Sequence, residues 1–455
     1  MNYDECQLKA IKTLGNTLVI AGAGSGKTST IVGKVNYLLD NKIYKPEEIL
    51  IISFTNETVN SLKEKIKHSI DIKTFHKLAL DIINSKDKIN IVSNNYLSYI
   101  INEYFNSFAL DNRKTNILYK RIINYIDIKN LMVLIETFIN IYKSNYNDIN
   151  FLYQLYKKSY FIDKIYYKFI LDIYLIYQRE LESNLSLDLN DLISKATIYI
   201  NNKKRKTLYK FIIIDEFQDT SLIRLNLIKA IIEQNNAKFF VVGDDYQSIY
   251  RFSGCNLNLF IDFKSNFPDT NLIYLNHNYR NSTELIKIAN IFIMKNNKQL
   301  KKNTICHKNI KKPIKIIFYV NKKTVVNKVL KIIDGNVLIL GRNNHDKDRF
   351  NVYENNDIRF LTIHKSKGLE EDNIILINLE NQTTGFPSKI KNEKIISKIL
   401  NSEYIIYEEE RRLFYVSLTR ARNFVYLLVP KNNYSVFIKE LIKDFKNDLD
   451  IIYIN

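Results

Sequence analysis

The sequence feature that most constrains the fold is the glycine-rich stretch Ala21–Thr30, which reads AGAGSGKTST. The apolar run Leu18–Ile20 precedes it, and a helix-compatible run with apolar residues at helical spacing follows it. A strand, a glycine-rich loop and a helix in this order predict a phosphate-binding loop, because backbone N–H groups converge on phosphate oxygens and the helix start adds positive dipole. The alternative, a flexible turn, is disfavoured by the complete Gly-Lys-Thr sequence at positions 26–28. The first position of the motif is Ala21 instead of Gly.

The polar groups of this loop match the parts of a nucleoside triphosphate. Lys27 is placed to reach the β- and γ-phosphates, and the Thr28 hydroxyl is a ligand suited to Mg²⁺. Gln7, upstream of the loop, carries an amide that can pair with adenine N6 and N7, although alone it would be interpreted as a surface residue. The loop residues expected at the nucleotide are Ala21, Gly22, Ala23, Gly24, Ser25, Gly26, Lys27, Thr28 and Ser29.

Composition and cysteine usage favour a globular chain that stays where it is made. The 455 residues are 46% hydrophobic and 25% charged, which is ordinary for about three domains. No apolar run approaches the roughly 20 residues of a membrane span, and no signal-peptide core is present. Three scattered cysteines indicate a reducing compartment without disulfides or a zinc site. We therefore expect a cytoplasmic protein without a membrane partner, and no function for the adjacent Cys306 and His307.

The formal net charge of +19 favours a polyanionic partner such as a nucleic acid. The alternative is compositional bias, because the whole chain is rich in Lys, Asn, Ile and Tyr. The charge alone leaves both interpretations open.

Polar or aromatic residues follow two further strand-like runs in the first part of the chain. Thr55 and Asn56 follow Ile49–Phe54, and Ile72–His76 contains Phe75 and precedes a helical pattern. Strand ends of this kind bind ligands in α/β sheets, but Thr55 and Thr74 also fit helix N-caps. From residue 89 to 202 glycine is absent and apolar residues recur at helical spacing, which predicts an all-helical insertion whose aromatics are mostly core.

Two later buried strands end in chemically active clusters. Phe211–Ile214 runs into Asp215 and Glu216; the first carboxylate suits Mg²⁺, and the second can orient or deprotonate the water that attacks a γ-phosphate. Phe239–Val242 leads to Gln247, a candidate γ-phosphate sensor. Tyr250 and Phe252 follow and can stack on bases.

The last third of the chain predicts a second α/β unit without a phosphate loop. Before it, Tyr279 and Arg280 follow the run Ile273–Leu275, where an aromatic ring and an arginine can contact adenine and γ-phosphate. An arginine from the second unit, such as Arg420, would link γ-phosphate charge to domain closure. The alternative is that Arg412 and Arg420 only form ion pairs on a helix face. The predicted strands are Ile314–Val320, Val337–Leu340, Arg359–Ile363, Ile374–Leu379 and Val425–Val429, with helices at Val325–Ile333 and Glu408–Ala421.

Taken together, these stretches resemble the UvrD/Rep/PcrA family of superfamily 1 DNA helicases over nearly the whole chain. The matching stretches, in family order, are Gln7, AGAGSGKT, SFTN, TFH, DEFQDT, GDDYQSIYRF, NYR, IHKSKGLE and RRLFYVSLTRAR, and the family motif LDLNDLI also occurs around Asp188 and Asp191. The resemblance implies an α/β fold of two RecA-like P-loop NTPase domains with parallel sheets. It implies a first motor domain at residues 1–88 and 203–282, a DNA-contacting helical insertion at 89–202, and a second motor domain at 283–455.

The resemblance also implies a role for each matching residue. The implied catalytic residues are Lys27, Asp215, Glu216, Gln247, Arg280 and Arg420. Adenine would contact Gln7 and Tyr279, the ribose Glu370, the γ-phosphate Gln247, Arg280 and Arg420, and Mg²⁺ Thr28 and Asp215. The implied contacts to single-stranded DNA are Thr55, Asn56, Phe75, His76, Tyr250, Phe252 and His364.

The activity implied by the resemblance is an ATP- and Mg²⁺-dependent DNA helicase that moves 3′ to 5′ on single-stranded DNA and opens duplex at single/double-strand junctions. Replication, repair or recombination at the nucleoid or an equivalent compartment would be its setting. One alternative is a translocase that strips proteins without separating strands. A DNA-binding scaffold with an inactive NTPase fold is a further alternative, disfavoured by the intact motifs. No acidic metal cluster follows the last predicted strand, so a fused nuclease is not expected.

The chain departs from the family at four points. Phe252 stands where many members have Trp, Ser253 where many have Arg, and Glu371 where a Phe is usual. The fourth point is the second motor domain, where relatives carry a large helical insertion that restrains unwinding and this chain has only a loop near residues 345–357. We therefore expect a minimal motor without that restraint.

Overall fold

The computed structural model describes residues 2–83, 90–110, 127–146, 148–389, 393–399 and 407–454. Two six-stranded sheets dominate it, and every strand pairing within them is parallel. The predicted α/β class with two parallel sheets is confirmed. Among the described residues, no helix has the length and apolar content needed to cross a membrane.

The first lobe is built on a sheet whose central strands are buried on both faces. Such strands are continuous apolar runs instead of alternating ones, as in all parallel sheets covered by helices. The strands are β1 (Thr17–Ile20), β2 (Ile49–Ser53), β3 (Asp71–Thr74), β4 (Phe211–Ile214), β5 (Lys238–Gly243) and β6 (Asn271–Tyr274). Their spatial order is β3-β2-β4-β5-β1-β6. β1 therefore lies inside the sheet, next to the edge strand β6, and the glycine-rich loop follows its carboxyl end.

Helices cover both faces of this sheet. They are α1 (Glu5–Lys12), α2 (Lys27–Asp40), α3 (Asn56–Lys65) and α4 (Phe75–Ile83). Two apolar clusters lie on opposite sides of the sheet. One contains Val19 and Ile51, and the other Leu18 and Ile52, because successive strand residues face opposite ways.

A helical insertion separates β3 from β4 and has its own apolar core. The helices that form this core are α5 (Tyr96–Leu110), α6 (Ile128–Asn145), α7 (Ile149–Lys158) and α8 (Phe161–Ser183), whereas α9 (Leu189–Asn201) packs against α4 and the core of the first sheet. The expectation that it is entirely helical is wrong in one detail. Asn90–Ile91 and Ser186–Leu187 form a short parallel ladder at its base. Lys143 pairs with both Asp188 and Asp191 at 2.8 Å, so the LDLNDLI motif ties α6 to the capped start of α9.

The second lobe repeats the strand order of the first. The remaining labelled helices are α10 (Leu222–Asn235) of the first lobe and, in the second lobe, α11 (Thr283–Ile293), α12 (Lys322–Leu330), α13 (Glu393–Ile399), α14 (Glu408–Leu418) and α15 (Val436–Phe445). Its strands are β7 (Ile314–Tyr319), β8 (Val337–Gly341), β9 (Ile358–Thr362), β10 (Glu371–Leu376), β11 (Ala421–Pro430) and β12 (Asp450–Ile454). The order β9-β8-β10-β11-β7-β12 matches that of the first sheet strand by strand.

The C-terminal strand β12 was missed in the sequence, where Val425–Val429 was taken as the last strand. β12 pairs in parallel with β7 over Lys315–Tyr319 and occupies the position that β6 has in the first sheet. It is an edge strand, so its residues are only half buried and its apolar pattern is weak.

The connection between β8 and β9 is short. Residues 342–357 span it and contain one helical turn, Asp346–Arg349. The described structure therefore has no subdomain at this point. Glu371, at the start of β10, is buried and accepts a hydrogen bond from Arg359 Nη2 at 2.7 Å, which gives this departure from the family a physical reason.

Candidate nucleotide site and nucleic-acid interface

A cleft of about 760 Å³ opens between the two lobes at the carboxyl edge of the first sheet. Every residue predicted from the sequence at the nucleotide lines it except Ala21, Ala23 and Asp215, which are buried. The lining residues are Asn2, Tyr3, Gln7, Gly22, Gly24, Ser25, Gly26, Lys27, Thr28, Ser29, Lys65, Glu216, Gln247, Tyr279, Arg280, Lys308, Gly368, Glu370, Arg420 and Arg422. The same cleft therefore receives the glycine-rich loop and arginines from the other side.

The glycine-rich loop has the backbone that a phosphate cradle requires. Gly26 adopts φ 77°, in the left-handed region, and begins α2 without a side-chain cap. The first N–H groups of α2 are therefore free of an internal cap and available to an anion. A Cβ on Gly24, at φ 66°, would lie 2.7 Å from the Cβ of Arg280. Ala21 is fully buried and its N–H donates to Gly243 O at 2.9 Å, so alanine fits where glycine is usual.

Two carboxylates from the end of β4 lie beside the loop. Lys27 Nζ donates to Glu216 Oε1 at 2.5 Å, and Gln218 Nε2 donates to the other carboxylate oxygen. Burial would raise the pKa of Glu216, but Lys27 and Lys367 outweigh it and lower this pKa to about 2. Glu216 also has φ 52°, a left-handed conformation that is uncommon for a side chain of this size and typical of functional sites. It is thus held ionised beside the glycine-rich loop.

Asp215 is buried at the same strand end, but its pKa is shifted in the opposite direction to that of Glu216. Burial and the neighbouring Glu216 charge raise the pKa of Asp215 to about 6. A cation bound next to Asp215 would offset the cost of burying its charged carboxylate. Hard oxygen donors, one carboxylate and the Thr28 hydroxyl of α2, fit a Mg²⁺ that keeps most of its waters and takes the rest of its ligands from phosphates. Among the described residues there is no cluster of three or more His, Cys, Asp or Glu that could hold a metal alone.

Two arginines face the cleft, and only one of them pairs with a carboxylate. Arg420 is 1% exposed and donates to neutral oxygens, at 2.9 Å to Gln247 Oε1 and 3.1 Å to Leu369 O. Burial and the nearby Arg280 lower the pKa of Arg420 to about 9. Arg280 Nε donates to Glu370 Oε2 at 2.5 Å, but Glu370 also pairs with Arg422. This cluster of guanidiniums is a site for an anion.

The ion-pair alternative holds for Arg412 but not for Arg420. Arg412 Nη1 pairs with Glu408 one turn away on α14 at 2.7 Å, and its Nε donates to Ser248 O of the first lobe. Arg412 therefore joins the lobes as a structural contact. Arg420 lies just beyond the same helix and reaches the cleft.

The opposite end of the cleft contains the predicted adenine residues. Gln7 is buried; its Oε1 accepts from Asp4 N at 3.2 Å and its Nε2 donates to Ser25 O at 3.3 Å. Its second amide hydrogen and second oxygen lone pair remain for a base. Tyr279 is 54% exposed, and its N–H donates to Gly24 O at 2.9 Å. The structure thus brings Gln7 and Tyr279 to one end, whereas Glu370, expected at the ribose, is engaged by two arginines.

Three of the predicted DNA residues form one cluster across the lobe boundary. The ring centroids of Phe252 and His364 are 5.4 Å apart, and those of Tyr250 and Phe252 6.1 Å. Tyr250 Oη donates to His364 O at 3.0 Å. Burial, with Arg342 and Lys367 nearby, lowers the pKa of His364 to about 3, so it stays neutral. Phe252 is 49% exposed and can offer a ring face to a base.

The other predicted DNA residues are divided between surface and core. Thr55 caps α3 by accepting from Thr58 N at 3.2 Å, and Thr74 accepts from Lys77 N at 3.3 Å, so both N-cap interpretations hold. Thr55 and Asn56 are exposed and accessible to a strand. Phe75 is 2% exposed and packs edge-on against Phe54, so the DNA contact expected for it would require its buried ring to become accessible. Burial and Arg224 lower the pKa of the neighbouring His76 to about 4.

Several residues of the site were missed in the sequence. Lys367 Nζ pairs with Asp219 and donates to Gln247 O at 2.8 Å; it lies in the IHKSKGLE stretch, which was a usable signal. Asn278 Nδ2 donates to Ala23 O at 2.7 Å, and Asn281 Nδ2 to Ala421 O at 2.6 Å, so these buried amides join the loop to the second lobe. His307, for which the sequence indicated no function, contacts the rings of Tyr279 and His277 with nearly parallel planes.

Comparison with known families matches both lobes. The family model for the UvrD/REP helicase N-terminal domain matches residues 3–268. The model for the UvrD-like helicase C-terminal domain matches residues 339–432. The first match alone spans more than half of the chain.

Several curated DNA helicases are similar in sequence to this chain along most of its length. DNA helicase IV of Escherichia coli (strain K12) is 29% identical over 477 residues, covering 94% of this chain and 68% of that protein. ATP-dependent DNA helicase Rep of Buchnera aphidicola subsp. Acyrthosiphon pisum is 32% identical, covering 73% of this chain and 51% of that protein. ATP-dependent DNA helicase PcrA of Staphylococcus epidermidis is 28% identical, covering 66% of this chain and 41% of that protein. The chain spans about half or less of the Rep and PcrA proteins that it matches.

Proposed function

Because this chain belongs to the UvrD/REP helicase family, we propose that it is an ATP-dependent DNA helicase that moves 3′ to 5′ on single-stranded DNA and opens duplex at a single/double-strand junction. Replication, repair or recombination is the setting that we propose for it. The direction and the setting rest on family similarity. The chemistry rests on the residues of the cleft.

One observation carries the proposal. Lys27 and Glu216 of the first lobe and Arg420 of the second lobe line a single cleft, with Gln247 bonded to Arg420 at 2.9 Å. A γ-phosphate bound there would contact both lobes and draw the arginines toward the glycine-rich loop. Hydrolysis would remove that contact, so the cleft would close and open once per nucleotide.

The ion pair between Lys27 and Glu216 suggests the first step of the mechanism. Lys27 now neutralises Glu216 at 2.5 Å. When phosphates enter, Lys27 turns to them, and Glu216 is released as a carboxylate that can accept a proton from the attacking water. Mg²⁺ held by Thr28 and Asp215 would neutralise phosphate charge during the transfer. Arg280 and Arg420 would stabilise the charge that develops on the γ-phosphate.

A short path connects the cleft to the aromatic cluster. Gln247 lies three residues before Tyr250, and Lys367 bonds Gln247 O while its ammonium sits 5.1 Å from the centre of the Tyr250 ring. Tyr250 in turn bonds the backbone of His364 in the second lobe. Closure around a γ-phosphate would therefore shift Tyr250, Phe252 and His364 relative to one another, which moves a base stacked on them.

A strand-displacement assay with 3′-tailed and 5′-tailed duplexes tests this proposal. We expect ATP-dependent opening of the 3′-tailed duplex only. Opening of the 5′-tailed substrate alone would overturn the direction. Movement on single strands without strand separation would instead favour the translocase, and a lack of DNA-stimulated ATPase would favour the scaffold.

A further inference from the structure

Three aromatic rings lie together at the base end of the cleft. The ring of His307 is 5.2 Å from that of Tyr279 with planes 12° apart, and the ring of His277 is 5.1 Å from that of His307 with planes 8° apart. His277 Nδ1 and His307 Nε2 are 2.9 Å apart, a hydrogen bond that fixes the two imidazoles to each other. Short paired strands, His277–Asn278 and Ile305–Cys306, hold both histidines in place.

Tyr279 is fixed from its other end by Asp4. The Tyr279 hydroxyl donates to Asp4 Oδ2 at 2.7 Å. The second oxygen of the same carboxylate accepts from Gln7 N at 2.8 Å and so caps α1. One carboxylate therefore sets the positions of both predicted adenine contacts, Gln7 on α1 and Tyr279 after β6.

We propose that Asp4, His277 and His307 are positioning residues that hold Tyr279 and Gln7 as a preformed platform for the nucleotide base. This inference rests on the proposed function, and it adds residues to the base end of that site. His307 acts by stacking on Tyr279, and His277 acts by orienting His307. Asp4 acts in two ways, by accepting a hydrogen bond from the Tyr279 hydroxyl and by capping α1, the helix that contains Gln7.

The physical reason is the exposure of Tyr279. Its side chain is 54% exposed, and an exposed aromatic side chain without neighbours samples several rotamers. Binding a base to such a ring would require ordering it first, which weakens affinity. A ring held by parallel stacking and by a hydroxyl–carboxylate bond is ordered before the base arrives. The platform therefore raises affinity for the base without touching the phosphates.

The test uses two ligands to separate the contribution of the base to binding from that of the phosphates. ADP carries a base, and pyrophosphate does not; calorimetry measures the dissociation constant of each. H307A removes the stacking ring, H307F restores an aromatic ring without the imidazole hydrogen bond, and D4S retains a helix-capping oxygen while losing the reach to Tyr279. H68A replaces an exposed histidine that lies outside the cleft and is the matched control.

H307A is expected to weaken ADP binding by about three- to tenfold, the range of one aromatic contact. Pyrophosphate binding should change less than about twofold, and KM for ATP should rise more than kcat falls. H307F should recover part of the ADP affinity, because the stacking ring returns without the hydrogen bond to His277. D4S should lose ADP affinity, and H68A should match the unaltered protein. ADP affinity unchanged in both H307A and D4S would overturn the proposal, as would an equal loss of pyrophosphate.

Failure of the proposed function is distinguishable from failure of this platform. A protein that binds ADP but shows no DNA-stimulated ATP hydrolysis would refute the helicase, while the ADP and pyrophosphate constants would still decide the role of His307.

Discussion

Side chains of opposite charge pair with one another in and beside the cleft. Lys27 pairs with Glu216, Arg280 with Glu370, and Lys367 with Asp219. In the first two pairs, a group expected at phosphate is joined to a carboxylate that it must leave. Nucleotide binding would therefore exchange these two internal ion pairs for contacts to phosphate.

Replacing Lys27 tests the phosphate contact. Lys27→Ala removes the ammonium but leaves the backbone N–H groups of the loop, so ATPase activity should fall by about 100-fold or more while single-strand DNA binding largely survives. Steady-state ATPase and fluorescence anisotropy with a labelled oligonucleotide measure the two quantities. Lys12→Ala, an exposed lysine at the end of α1, is the control. Equal loss of DNA binding would show that Lys27 serves the fold instead.

Replacing Glu216 tests the base. Glu216→Gln keeps the shape and a hydrogen-bonding oxygen but cannot take a proton, so ATP should still bind and turnover should fall by about 10²- to 10⁴-fold. Single-turnover hydrolysis beside calorimetric binding of ATP separates the two effects. Full turnover in this variant would remove Glu216 from the base role.

The raised pKa of Asp215 predicts that the stability of the fold depends on pH. Its pKa is raised to about 6 by burial and by Glu216, so the folded chain binds this proton more tightly than the unfolded chain does. The stabilising contribution is present at low pH and is lost as pH rises through 6. Asp215→Asn should therefore raise the free energy of unfolding by roughly 1–3 kcal/mol at pH 8 without Mg²⁺, and the gain should vanish toward pH 4.

Denaturant unfolding of Asp215→Asn across this pH range, in a chelating buffer, measures the effect. The variant should also lack ATPase activity, so that its gain in stability is accompanied by a loss of function. A gain that grows toward low pH would contradict the sign of the shift.

The chemically active side chains could be predicted from the sequence because their motifs are local. Lys27, Glu216 and Arg420 each lie in a contiguous stretch whose residue types specify the chemistry, and all three line the cleft. Asp4 and His307 could not be found in this way, because their partners are 275 and 30 residues distant in the chain. Phe75 shows the reverse case: its motif fits a DNA contact, but the helix that it begins turns the ring into the core.

Among the elements, apolar runs predicted the strands that lie inside each sheet. β4 begins and ends where Phe211–Ile214 was expected. The edge strand β12 and the ladder of Asn90–Ile91 with Ser186–Leu187 were missed, because neither is buried enough to impose an apolar pattern. Strand order could not be predicted from local patterns, since it depends on pairings between distant segments.

The short connection between β8 and β9 predicts behaviour in solution. Residues 342–357 form a loop with one helical turn, so they cannot supply the restraining subdomain implied by the family resemblance. We expect the monomer to unwind a 3′-tailed duplex at low salt without a partner. Single-turnover unwinding at increasing protein concentration, beside sedimentation of the same samples, measures this. Unwinding that appears only with dimers, or only with an added accessory protein, would contradict it.

In the whole molecule, apolar contacts and charged contacts both join the lobes. Tyr246 of the first lobe meets Tyr415 of the second edge-on at 5.2 Å, within an apolar cluster that extends into the second sheet. The cleft arginines lie beside this contact.

The matching strand orders have a consequence for the number of nucleotides that one chain consumes. The first strand of each sheet leads into a helix, β1 into α2 and β7 into α12. The start of α2 follows Gly26 and has no side-chain cap, whereas the Asn321 side chain already accepts from Lys323 N at the start of α12, at 2.9 Å. At the start of α12, the Asn321 side chain occupies a backbone N–H group that a phosphate would need. At the start of α2, no side chain of the helix cap competes with a phosphate. We therefore expect each chain to bind one triphosphate, so that one nucleotide is consumed in each cycle of the two lobes.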